Sequence, residues 1–220
     1  MDARHLGCWN LSRSWYQVQQ LRVPKPGIAM PRPPRLLFAS GTYHVTARGN
    51  NGDDIFRDDN DRATYLELLA KAASETAVRI LAYALMSNHL HLVVHTPAPN
   101  LHVLIHRAHR PYAAGFNRAY GRSGHLFGSR YHSKPVLNDS QLLETTRYIH
   151  LNPVVAGLVR RPEHFLWSSY RSYITPHPDH ELVDAGPVLD LLARVRGSAC
   201  VAYERFVHSA LVVPGTGNVG

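Results

Sequence analysis

The chain has 220 residues, 45% of them hydrophobic, so it can bury a sizeable core and is not disordered as a whole. Its formal net charge of +8 favours a polyanionic partner, nucleic acid first and an anionic membrane surface second. No apolar run reaches the roughly 18 residues of a membrane span, and two unrelated cysteines, Cys8 and Cys200, exclude a disulfide framework or a zinc ribbon.

A reducing, intracellular setting follows from that cysteine usage, and no apolar stretch near the start resembles a secretory signal. Residues 1–34 read as a basic, proline-rich extension, with Pro24, Pro26, Pro31, Pro33 and Pro34 preventing regular structure. Met30 is an alternative start. Residues 35–175 carry the periodic elements of a domain, and residues 176–220 a helical C-terminal extension.

Thr42 to Ala47 is rich in β-branched and aromatic residues and predicts a first strand. Arg48-Gly49-Asn50-Asn51-Gly52 follows as a turn or a phosphate-approach loop, with Arg48 and Asn50 as candidate DNA contacts. Asp58 to Asp61 offers helix caps, and Tyr65, Leu66, Leu68, Leu69, Ala72 and Ala73 form a helical stripe. Two apolar runs, at 79–86 and 88–95, are separated only by Ser87-Asn88, which predicts a tight hairpin.

The second run carries His89 and His91. Strand alternation turns both to one face and Leu90 and Leu92 to the other. Two imidazoles one strand-step apart can reach one metal ion. They can equally be two hydrogen-bonded core histidines.

Asn100 is placed to cap a second helix, which Pro111 should bend or split. His102, His106 and His109 share one of its faces, read as a solvated polar face. Between Phe127 and Leu137, Arg130, Tyr131, His132 and Lys134 interleave charge with aromatic rings. That mixture suits phosphate contacts and base stacking, or an ordinary exposed strand.

Asp139 or Ser140 starts a further helix, which Pro153 should end at Asn152. Tyr148 and Asn152 stand four apart on it and share a face. They are core filler and a C-cap, or a phenol and an amide oxygen aimed at one point. If that point is an ion held by His89 and His91, nitrogen and oxygen ligands suit Mg²⁺ or Mn²⁺. The phenol would then attack a polarised phosphate and become joined to DNA. Two last helices are expected near 187–196 and 199–211.

The ordered set of motifs carries a resemblance. Tyr43-His44-Val45-Thr46-Ala47-Arg48-Gly49-Asn50, Met86-Ser87-Asn88-His89-Leu90-His91-Leu92, Gly124-His125-Leu126-Phe127, Arg147-Tyr148-Ile149-His150-Leu151-Asn152-Pro153-Val154 and Ala156-Gly157-Leu158-Val159 resemble the REP-associated tyrosine transposases. These belong to the single-tyrosine His-hydrophobic-His transposases. The resemblance covers roughly residues 30 to 175. It implies an α+β, ferredoxin-like antiparallel sheet with helices on one face. It implies His89 and His91 as metal ligands, Asn152 as the third, and Tyr148 as the nucleophile. It adds Arg147, beside that tyrosine, to the candidate DNA contacts.

The implied activity is nicking and rejoining of single-stranded hairpin DNA, through a 5′-phosphotyrosine and a free 3′-hydroxyl. No ATP or other nucleotide is needed, because the protein–DNA bond conserves the phosphodiester energy. The implied setting is cytoplasmic and nucleoid-associated, away from any membrane, as a monomer or a homodimer. Two alternatives are a non-catalytic hairpin-binding protein and a metal-dependent phosphodiesterase using water. Ser87 stands where relatives usually have proline, Val155 where they have arginine, and Asn152 where they have glutamine.

Overall fold

A computed structural model describes residues 38–176 and 182–211. The expected N-terminal extension, with Cys8 and Met30, lies outside them. Strand β1 (Gly41–Arg48), helix α1 (Asp59–Thr76), strands β2 (Arg79–Leu85) and β3 (His89–Thr96), helix α2 (Leu101–Ala119) and strand β4 (His132–Val136) come first. They make one antiparallel sheet in the order β2-β3-β1-β4. This is the expected ferredoxin-like arrangement, with the two longest strands at its centre.

Alternation sorts the sheet into two faces. Tyr43, Val45, Ala47, Leu90, Leu92 and Val94 are buried on one. Helices α1 and α2 close it with Tyr65, Leu69, Leu104, Ile105 and Ala108. The other face carries His44, Thr46 and Arg48 on β1, paired with Val93, His91 and His89 on β3. Helix α3 (Asp139–Val155) packs over β2 and β3 on this second face. Beyond it come α4 (Tyr170–Ile174), α5 (Gly186–Leu189) and α6 (Arg196–His208). Tyr170, Tyr173, Val188, Leu189, Tyr203 and Val207 of these helices join the same core. The helix expected near 187–196 is thus a single turn.

Both sheet edges are protected. Leu85 N–H donates to the Trp167 carbonyl, Ser169 N–H to Tyr83 and Asp184 N–H to Ile80, so later segments cover β2. Strand β4 carries Pro135 and Lys134, which suit an edge because proline cannot donate and a charge resists added strands.

Several local expectations need correction. Neither proline ends its helix: α2 runs through Pro111 and α3 through Pro153 to Val155. Burial of Ala108, Tyr112 and Phe116 around one, and of Ile149 and Leu151 before the other, outweighs the roughly 3 kcal/mol an interior proline costs. Helix α3 stops instead at Gly157, with φ of 72°. Gly157 N–H donates to Val154 and Leu158 N–H to Pro153, a Schellman ending. Its N-cap is Asn138, which accepts from Gln141 N–H at 2.8 Å. Asn100 does not cap α2 through its side chain but donates to the Thr76 carbonyl, tying off α1. His109 leaves the polar face of α2, bonds the Tyr65 hydroxyl at 3.0 Å and stacks on Phe127.

Candidate active site

His89 and His91 point from β3 into one shallow region of the second face, their rings perpendicular and 5.0 Å apart. Their partners determine which nitrogen each offers. Asn88 donates from Nδ2 to the Gly52 carbonyl, which leaves its Oδ1 toward His89. An amide oxygen only accepts, so His89 carries its proton on Nδ1, 2.7 Å away. Its Nε2 therefore holds the lone pair. Asn152 of α3 approaches the same ring closely enough to oppose the lowering of His89 by burial.

His91 is buried at 6% exposure. Its Nδ1 lies 3.1 Å from Nε2 of His44, and the two rings stack. Its Nε2 is buried and has no hydrogen-bond partner among the described residues. A buried polar atom left unpaired costs about 1–3 kcal/mol, so each one calls for an explanation.

Helix α3 brings Tyr148 over this pair. Its ring lies 5.6 Å from that of His91 and 6.1 Å from that of His44, edge-on to both. Tyr148 is 42% exposed, so a large substrate can reach it. Asn152, one turn along, meets His89. The two elements expected to converge do so: β3, and α3 more than fifty residues later.

Electrostatics keep the histidines neutral. Burial lowers His91 well below the usual range, and His44 and His89 nearby add to it. Burial, then Lys134 and His132, brings His44 down to about 4. Burial also lowers His89, opposed by Asn152 and aided by Arg48. Neutral imidazoles are the form that binds metal.

Among the described residues no three His, Cys, Asp or Glu side chains gather to hold an ion. An amide oxygen from Asn152 would be a third, neutral ligand. The residues present fit a divalent cation on two observations: the lone pair fixed on His89 Nε2 and the unpaired Nε2 of His91.

The candidate DNA contacts divide. Arg48 is exposed beside His89, and Lys134 is exposed beside His44 across the β1–β4 pairing. Arg130 is exposed in the loop before β4. Asn50 sits in a one-turn 3-10 segment under the site, its N–H donating to Leu126. The approach is tight: a Cβ on Gly49 would fall 1.9 Å from the Asp53 carbonyl oxygen. Two expectations fail. Tyr131 is only 9% exposed, so its ring is core and offers no face for a base. Arg147 pairs with Glu144 and lies over the Phe206 ring at 4.3 Å, so its guanidinium is engaged within the chain.

Sequence reasoning overlooked His44 and Asn88 as site residues. Alternation along β1 turns His44 away from buried Tyr43 and Val45, a signal the sequence holds. That β3 is the neighbouring strand it does not.

The sequence model of the IS200-like transposases matches residues 38–152, from just before β1 to Asn152. The chain belongs to this family. Its members are transposases, acting on DNA. A solved structure of a REP-associated tyrosine transposase bound to a REP hairpin superposes with a TM-score of 0.57 at 16% identity. The likeness covers 72% of this chain and 96% of that one, and at this identity it shows the fold. No curated protein matches. Among the described residues of this transposase, no helix is long and apolar enough to cross a membrane.

Proposed function

We propose that this transposase nicks and rejoins single-stranded hairpin DNA with Tyr148 as nucleophile. One observation carries the reading: an accessible phenol lies 5.6 Å, ring to ring, from a buried histidine whose Nε2 is unpaired. His89, His91 and Asn152 would hold a divalent cation, Mg²⁺ or Mn²⁺. When bound there, such an ion supplies positive charge that polarises the scissile phosphate. The rest is done by the chain. Arg48, Lys134 and Arg130 draw the phosphate backbone across the second face. Tyr148 forms an O–P bond as the P–O3′ bond breaks. The phenol gives up its proton, the departing 3′-oxygen takes one up, and the 5′-phosphate stays on the tyrosine. Return of a 3′-hydroxyl reverses these steps and joins strands without ATP.

Hairpin DNA is the proposed substrate because the structural neighbour was solved on a REP hairpin and shares this fold. A nucleoid-associated protein acting as a monomer or a homodimer follows. The test is incubation with a single-stranded hairpin and Mn²⁺, then boiling in detergent. A protein–DNA band that Tyr148→Phe and EDTA both remove supports the reading. Cleavage without such a band would instead indicate hydrolysis by water, and binding without cleavage a non-catalytic module.

A further inference from the structure

We propose that His44 is a positioning residue, accepting the Nδ1 proton of His91 so that His91 keeps its Nε2 bare toward the site. The inference rests on the metal-dependent reading above. Two neutral rings 3.1 Å apart share one proton, and either could donate. If His44 donated, His91 would carry its hydrogen on Nε2, where a buried donor would meet no acceptor among the described residues. With His91 as donor, the same atom is a lone pair, and a cation satisfies it. The second arrangement puts both ligands in one state: His89 through Asn88, His91 through His44.

The setting fits that duty. His44 is set in a central strand between β3 and β4, opposite Val93 and Lys134. It stacks on His91 with centroids 5.3 Å apart and planes 23° from parallel, so the ring cannot tip without losing the bond. It also meets Tyr148 edge-on, and so borders ligand and nucleophile at once. Metal-bound histidines commonly donate their second nitrogen to such a partner, and its loss typically lowers affinity 10- to 100-fold.

Three full-length variants test this with Mn²⁺ alone, free ion being read by electron paramagnetic resonance. His44→Phe keeps a stacking ring without an acceptor and should weaken binding about 10- to 100-fold. His44→Gln restores an acceptor and should stay within a few-fold of the native protein. His91→Ala should remove binding. If His44→Phe binds as tightly as the native chain, the proposal fails while the metal site stands. If the native chain binds no Mn²⁺, the metal-dependent reading fails and takes the proposal with it. Long-range proton–nitrogen spectra of the metal-free protein give an independent check that survives misfolding of any variant. They should find His91 protonated on Nδ1, and protonation on Nε2 would overturn the proposal.

Discussion

Tyr148 and His150 stand two residues apart on α3, so the helix turns them to opposite sides. Each belongs to a cluster of histidine and tyrosine. Around His150 every polar atom is matched: Nδ1 bonds the Tyr203 hydroxyl and Nε2 the Ser169 hydroxyl, both at 2.7 Å. Ser169 accepts in turn from Tyr83 N–H at 2.9 Å. His150 is fully buried and joins α3 to α6 and to the edge of β2. Around Tyr148, the phenol is accessible and His91 keeps a buried nitrogen unpaired. One cluster is satisfied and holds the helix; the other sets a buried nitrogen without a hydrogen-bond partner beside an accessible phenol. Hydrogen-bond completeness, not residue type, separates them.

Substitutions should break this contrast in opposite ways. Tyr148→Phe should abolish the covalent DNA adduct with melting temperature little changed, because the ring keeps its edge-on contacts to His44 and His91 and only the hydroxyl is lost. His91→Ala, or chelation of the ion, should stop cleavage and alter melting much less than a change at His150. His150→Ala removes one hydrogen bond from each of the Tyr203 and Ser169 hydroxyls and leaves a cavity in the core. It should cost about 2–4 kcal/mol of stability in chemical denaturation.

Acid should sharpen the contrast further. Burial pushes His150 down to about 3, while the unfolded chain takes up the proton near 6.5. The unfolded state therefore binds more protons between those values, and stability falls as pH drops through them. The slope is about 1.4 kcal/mol per pH unit for this one group. His150→Gln should remove that part of the slope, read from denaturation midpoints at pH 4 to 7. The smallest effect belongs to the exposed end of the helix. Val155→Arg adds a cation at an exposed position of α3 and should raise the salt dependence of DNA binding by about one phosphate.

Much of this was legible in the residues. Alternation alone put His89 and His91 on one face, and the four-residue spacing put Tyr148 and Asn152 together. Ordered motifs supplied the fold. Proline does not interrupt α2 or α3 as local rules expect, since those rules leave out what tertiary burial contributes to both helices. Tyr131 was misplaced because an aromatic among basic residues looks like a stacking platform until its burial is known. Arg147 reads as a DNA contact in the sequence because neither the Glu144 pairing nor the Phe206 ring, from a helix fifty residues on, is visible locally. His44 and Asn88 were missed for the same reason: a strand's face can be read from its pattern, its neighbour cannot.

The most direct test of a tyrosine nucleophile is mapping the bond itself. A hairpin labelled at its 3′ end is incubated with the protein and Mn²⁺, the protein is digested, and the labelled peptide is sequenced by mass spectrometry. The label should travel with the α3 peptide, its added mass on Tyr148. Cleaved DNA with no label on any peptide, or label on another residue, would contradict the account.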